Sequence, residues 1–434
     1  MMTRRTAPLA ACAALLLAGV ALPAQAQDIA ITNARVVIGD GTAPIPNGTV
    51  VVRAGKVVAA GAGVPVPAGV RTIDAQGKYV TPGLVVAVTD LGLVDVGAVD
   101  SSNDANTATS PFSAALDVAP AINPDNQFIA VSRAGGVTRA GVVPGGSNAL
   151  FAGQGAVIDL GADAQPIFRA RAFQYVELGE TAGEQAGGSR VAAYAQLHNA
   201  LAEAQELAAS PTAARRDDVL LSRADARVLG AVLRGEQPLY VRAERAHDIR
   251  MALALRQEFP GLKLVIAGAT EGWRVARELA AAGVPVLATP LNDLPAQFEQ
   301  LGATQSNVGR MAAAGVKVAL GAFGDQPRYA PQYAGNLVAL THVPGASGLT
   351  WDRAFAAISS GPAEAMGMGD AFGSLRAGRA GDVVIWDGDP LEASSGVVQV
   401  FIDGVEQPLT NHQTRLRDRY RAPADPALPR AYGW

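Results

Sequence analysis

The chain has 434 residues, 49% of them hydrophobic and 17% charged, with a formal net charge of −4. Such a length holds a large core and two domains, and the absence of any block of like charge argues against a nucleic-acid surface. Aromatics make up only 5% of the chain, so short side chains must do much of the packing.

The N-terminus reads as a secretory leader over residues 1–26. Arg4 and Arg5 give a positive start, Leu9 to Leu22 is apolar and too short to span a bilayer, and Ala24-Gln25-Ala26 is a cleavage site of the A-x-A kind. Cleavage there removes Cys12, the only cysteine, so the mature chain has neither disulfides nor thiol chemistry. A leader of this type without a later membrane span predicts a periplasmic protein.

Residues 28–81 alternate in short runs. Ile29 to Val37 is a strand, Gly48 to Arg53 and Lys56 to Ala60 flank an Ala54-Gly55 turn, and Val70 to Ile73 and Lys78 to Val80 follow. A small β unit must bury one face, and its partner is expected at the far end, in Gly381 to Leu391 and Val397 to Gly404. The two chain ends therefore predict one composite β-sandwich, residues 27–81 with 374–410.

Between the ends, strands and helices alternate. Strands are expected at 136–143, 238–243, 262–266, 284–288 and 316–321. Helices are expected at 190–209, from Asp248 onward and at 272–282. This pattern predicts an α/β fold with parallel strands and right-handed crossovers, and the length of 82–373 suits a closed (β/α)8 barrel. Gly153-Gln154-Gly155 reads as a tight turn. The polar, basic tail 411–434 is expected to pack along the surface or an oligomer interface.

Two segments carry a family resemblance. Val80-Thr81-Pro82-Gly83-Leu84 through Leu91-Gly92 resembles the first barrel strand of the amidohydrolase superfamily, V-x-P-G-L-I-D-x-H-x-H-L-G. The stretch 373–391, GSLRAGRAGDVVIWDGDPL, resembles the segment that returns from barrel to composite domain in that family. The resemblance covers about residues 28–408 and is to the composite-domain type that includes imidazolonepropionase and dihydroorotase. It implies a (β/α)8 barrel plus a small β-sandwich, hydrolysis of non-peptide carbon–nitrogen bonds, and usually zinc held by imidazoles and carboxylates.

The positions that the resemblance assigns to metal ligands hold other residues. Val88 and Asp90 stand for the two first-strand histidines. Arg242, a permanent cation, stands on the fifth strand, Gly268 on the sixth and Phe323 on the eighth, with Asp325 two residues on. The four histidines, His198, His247, His342 and His412, are scattered over separate segments, whereas catalytic zinc of the imidazole type takes three together. No bound cofactor is expected. The candidate site residues are Asp90, Glu177, Arg242, Glu244, His247 and Asp325: the acids for metal-free acid–base work, Arg242 to orient a carboxylate ligand. Two functions stay open: a divergent hydrolase of a small molecule, or a non-catalytic subunit or small-molecule binder that forms a homo- or hetero-oligomer with a related amidohydrolase.

Overall fold

Short strands with alternating burial begin the chain, and in the computed structural model they pair at once. The structure describes residues 26–107, 109–145, 149–212, 217–321 and 326–421. The expected leader, Cys12, Phe323 and Asp325 lie outside the described residues.

The first strands are β1 (Ile29–Val36), β2 (Ile45–Arg53), β3 (Lys56–Gly61), β4 (Arg71–Asp74) and β5 (Tyr79–Pro82). The barrel is built from β6 (Leu84–Thr89), α1 (Gln127–Ala134), β7 (Val137–Val142), β8 (Phe151–Asp159), β9 (Ile167–Glu177), α2 (Glu180–Gln185), α3 (Arg190–Ala209), α4 (Arg223–Leu233), β10 (Leu239–Ala243), α5 (Ala246–Glu258), β11 (Leu264–Gly268), α6 (Ala276–Ala282), β12 (Val286–Ala288), α7 (Asn307–Ala313), β13 (Val318–Leu320), α8 (Ala330–Ala339), α9 (Trp351–Ala356) and α10 (Ser360–Ala365). The chain then returns through β14 (Val383–Trp386), β15 (Val397–Ile402) and β16 (Val405–Glu406), and α11 (His412–Arg421) follows.

Local chemistry sets several of these boundaries. Ser189 opens α3 by accepting the Val191 amide at 3.1 Å, and Ser222 opens α4 by accepting the Asp225 amide at 3.1 Å. Gly283, in the left-handed region at φ 62°, ends α6. Helix α5 starts at Ala246, two residues before the expected Asp248.

The barrel sheet runs β13-β12-β11-β10-β9-β8-β7-β6. The Val88 amide donates to the Gly321 carbonyl at 2.9 Å, bringing the two edges together. The expected all-parallel sheet needs correcting in one place. β8 is antiparallel to both β7 and β9, while the pairs β6–β7, β9–β10, β10–β11, β11–β12 and β12–β13 are parallel. Among the described residues no helix lies between β7 and β9, and a direct connection between neighbouring strands reverses the chain. Gly153-Gln154-Gly155, expected as a turn, lies inside β8. A Cβ on Gly155 would stand 2.1 Å from the Phe173 ring, so glycine there makes room for that side chain.

The barrel interior mixes small and large residues: Val85, Ala87, Val265, Ala267, Leu287 and Ala319 surround a Phe173–Tyr240 stack with centroids 4.1 Å apart. A larger core lies between strands and helices.

The second sheet joins both ends of the chain in the order β16-β15-β14-β5-β1-β2-β3, with β4 paired to β1. The expected sandwich is thus one hydrogen-bonded sheet that curls around Ile31, Val50, Val80, Val383 and Phe401. Its ends approach where the Gly381 amide donates to the Gly55 carbonyl at 2.7 Å. The run from Tyr79 to Gly92 is split by Gly83: Tyr79–Pro82 belongs to this sheet and Leu84–Thr89 to the barrel.

The two sheets are locked by a buried arginine. Arg139, on β7, is fully buried and reaches Asp382 through Nε at 2.7 Å and Nη2 at 2.9 Å. Its Nη2 also pairs with Asp403 at 2.7 Å, and its Nη1 lies 3.9 Å from Asp159. Such a buried cation requires this density of carboxylates.

Candidate functional site

The barrel strands bring their C-terminal ends to one face, where a cavity of about 460 Å³ opens. Each sector of its wall comes from a strand end. Val88, Thr89 and Asp90 close β6; Val143, Pro144 and Gly145 follow β7; Tyr175 and Glu177 end β9; Arg242 lies near the end of β10; Ala267 and Gly268 end β11; Thr289 follows β12. The loop between β6 and α1 adds Val94, Asn103, Ala105 and Asn106.

Register explains the central contact. Arg242 is opposite Glu177 on one side and Ala267 on the other. Its Nη1 stands 3.6 Å from Glu177 and its Nε 3.6 Å from Glu244. Both distances exceed a direct charge-assisted hydrogen bond of about 2.7–2.9 Å. The Arg242 side chain is 49% exposed, Glu177 15% and Glu244 3%. The guanidinium is held firmly protonated, because the Tyr175 oxygen once ionised, and the Glu177 and Glu244 carboxylates, outweigh the cost of leaving solvent. Burial pushes the Tyr175 phenol well above its usual range, so it is a protonated donor at neutral pH.

Glu244 lies behind this wall. Its carboxylate accepts the Thr270 amide at 3.1 Å and the Thr270 hydroxyl at 2.7 Å. It fills the space beside Gly268, where a Cβ would stand 2.3 Å from Glu244 Oε1, on a backbone with φ +86°. The glycine at this strand end is therefore a filled position, because the Glu244 carboxylate occupies the volume of a side chain. Glu271, three residues on, is also structural: it accepts the Ala246 amide at 3.0 Å at the start of α5 and the Gly302 amide at 2.9 Å.

Of the six residues singled out from sequence, Asp90, Glu177 and Arg242 share the cavity. Glu244 contacts it only through Arg242. His247 does not line it: exposed on the first turn of α5, it meets the Tyr194 ring edge-on at 6.5 Å. Asp325 lies outside the described residues. Sequence reading missed Tyr175, although it is two residues before Glu177 and strand periodicity puts both on one face. Asn103, Asn106 and Thr289 carried no signal, since loop residues show no periodicity. Among the described residues, no group of three or more histidine, cysteine, aspartate or glutamate side chains could hold a metal ion.

This architecture and these strand ends recur in known proteins. A model of the Amidohydrolase family matches residues 266–406. The structure of an amidohydrolase from Thermotoga maritima MSB8 superimposes with a TM-score of 0.75 and 28% identity, over 87% of this chain and 99% of that one. These matches support membership of the amidohydrolase superfamily. The amidohydrolase tasK of Hapsidospora irregularis is 25% identical over 378 residues, 79% of this chain, and the chain spans only 38% of that relative's length. Two more distant structures share the fold of this chain: molinate hydrolase (18% identity, TM-score 0.55, 94% and 99% covered) and phenylurea hydrolase B (16%, 0.52, 88% and 96%). Members of the superfamily usually use a metal. Arg242 and Gly268, which stand where the sequence resemblance puts metal-binding imidazoles, line the described mouth, and neither side chain offers a metal ligand.

Proposed function

We propose that this protein is a divergent hydrolase of carbon–nitrogen bonds other than peptide bonds, acting on a small molecule in the barrel mouth without an imidazole-held metal. The observation that supports this reading is how Arg242 and Gly268 are packed. Arg242 stands between Glu177 and Glu244, and the Glu244 carboxylate occupies the space beside Gly268. In this reading Asp90 is the general base. Water adds to the carbonyl carbon and gives its proton to Asp90, while the carbonyl π pair moves onto oxygen. Collapse breaks the C–N bond, and the amine leaves with the proton from Asp90.

The test pairs metal analysis of the purified protein with hydrolysis assays on a panel of amides, cyclic amides and ureas. Turnover that survives chelation, in protein with no stoichiometric metal, is the expected result. Stoichiometric zinc, lost together with activity on chelation, would sink the metal-free reading.

A second reading is a non-catalytic subunit paired with an active relative. It draws support from the tasK relative, most of which lies outside the matched region. Native mass measurement of the complex isolated from its source decides it: a pure homo-oligomer with turnover of its own removes the need for an active partner. We place the mature chain in the periplasm on its N-terminal pattern. Among the described residues, no helix is long and apolar enough to cross a membrane.

A further inference from the structure

The Arg242 guanidinium has more donors than the described residues of the mouth use. It carries five N–H groups, and its two carboxylate neighbours both stand at 3.6 Å, outside hydrogen-bonding distance. About half of the side chain is exposed, and it lines the cavity. The Tyr175 hydroxyl lies against it and lines the same wall. Together they form a cluster of donors with room for an acceptor atom.

The charge around that cluster restricts the acceptor. Asp90 and Glu177 line the cavity and Glu244 lies directly behind Arg242, so among the described residues one cation faces three carboxylates. The charge of Arg242 is already neutralised. A ligand carboxylate would add a fourth negative group beside a single cation, whereas a neutral carbonyl oxygen would accept the unused N–H and O–H donors without adding charge.

We propose that Arg242 and Tyr175 are the pair that holds and polarises the substrate's carbonyl oxygen, and that the acids around them select neutral amides and ureas over carboxylate-bearing ligands. Arg242 then supplies the positive charge that a metal supplies in relatives, as the oxygen becomes negative during water addition. This revises the sequence-based expectation that Arg242 orients a carboxylate. It rests on the reading of the mouth as the substrate site, and it names the class of substrate.

Ligand-observed NMR and calorimetry on the full chain at pH 7 test it with two matched pairs. N-acetylglycinamide is compared with N-acetylglycine, and hydantoin with N-carbamoylglycine; each pair sets a neutral carbonyl compound against its carboxylate counterpart. The neutral member is expected to bind about tenfold tighter in each pair, and Tyr175→Phe to weaken it by roughly three- to tenfold, the range for one hydrogen bond. Arg242→Gln is expected to abolish binding, with Arg242→Lys partly retaining it. Circular dichroism and the unfolding midpoint check that each variant is folded, and Tyr175→Phe conserves ring volume if Arg242→Gln does not fold. Equal or tighter binding of the carboxylate members, no binding of any probe at millimolar concentration, or unchanged binding by folded Arg242→Gln and Tyr175→Phe would overturn the inference. Turnover is not part of this readout. A carboxylate preference therefore defeats the inference and leaves the hydrolase reading standing, while a neutral preference without hydrolysis does the reverse.

Discussion

Alanine at position 268 would meet two obstacles at once. The backbone there has φ +86°, which L-residues rarely adopt, and the new methyl would stand 2.3 Å from Glu244 Oε1. A carboxylate tip could normally swing aside, but this one is buried and held by both the amide and the hydroxyl of Thr270. Gly268→Ala is therefore expected to cost roughly 2–4 kcal/mol from strain and overpacking together, read as a shift in urea midpoint. In a Glu244→Ala background the clash disappears and only the φ penalty remains, so the same substitution should cost about 1–2 kcal/mol less. Sequence alone placed glycine where the resemblance expects a ligand; that a neighbour fills the space depends on a fold-level contact that no local pattern encodes. Asp159 makes a second prediction at this scale. Burial raises its carboxyl to about 6, opposed by Arg139 and the Gly161 amide, and Asp163 and Asp382 also face it. A raised carboxyl favours the native state while protonated, so that contribution is present below the unfolded value of 3.8 and is lost as pH rises through about 6. The stability of Asp159→Asn relative to wild type should therefore grow by about 2–3 kcal/mol between pH 4 and pH 7. A difference independent of pH would show that Asp159 titrates normally.

Between elements, the critical position is Gly83. The chain leaves one sheet at Pro82 and enters the other at Leu84, and a Cβ at 83 would stand 2.0 Å from Thr138 Oγ1 on β7. Gly83→Ala is thus expected to destabilise by at least about 3 kcal/mol, because backbone on both sides is fixed by strand pairing. Thr138→Ala removes the two nearest atoms, and a double-mutant cycle by chemical denaturation should show favourable coupling of about 1–2 kcal/mol between the sites. Additive effects would place the strain elsewhere. Element boundaries of this kind were only partly legible. Alternation and turns located most strands within a few residues, since a period of two is a local property of a half-buried strand, but β8 and β9 were not among them. The switch at Gly83 was expected between residues 81 and 82, one residue early, because Tyr79 to Thr89 reads as one apolar run with no local mark at the crossing, and both sheets bury their strands. The reversal of β8 was hidden for a related reason. Direction is set by whether a helix lies between strands, and the segment from Val137 to Glu177 contains none among its described residues. The site shows the same division: Asp90, Glu177 and Arg242 could be found from strand ends, while Asn103 and Asn106 reach the mouth through an irregular loop.

At the scale of the molecule, the family motif at the far end has a mechanical role that its position in sequence does not suggest. Asp382 belongs to the return strand, 243 residues from Arg139, yet its carboxylate receives that buried guanidinium at 2.7 and 2.9 Å and the Asp403 amide at 3.0 Å. Phe168 and Phe372 cover the cation at 5.2 and 5.6 Å, so water cannot replace a lost partner. Removing the carboxylate would leave Arg139 with Asp403, whose side chain is half exposed, and with Asp159 at 3.9 Å. Breaking such a buried pair from one side is expected to cost about 3–5 kcal/mol, much of it from the stranded charge. Asp382→Ala should therefore lower the melting temperature more than Arg139→Met, which removes the charge and keeps apolar volume. Since β14 joins the sheet at β5, directly before the Gly83 switch, the loss should also uncouple the curled sheet from the barrel. Calorimetry is expected to record one transition for wild type and a broadened or divided one for Asp382→Ala, while the barrel-mouth binding preference stays intact in the protein that remains folded. A single sharp transition at an unchanged temperature would mean that strand pairing alone joins the two sheets and that the arginine contributes nothing to their coupling.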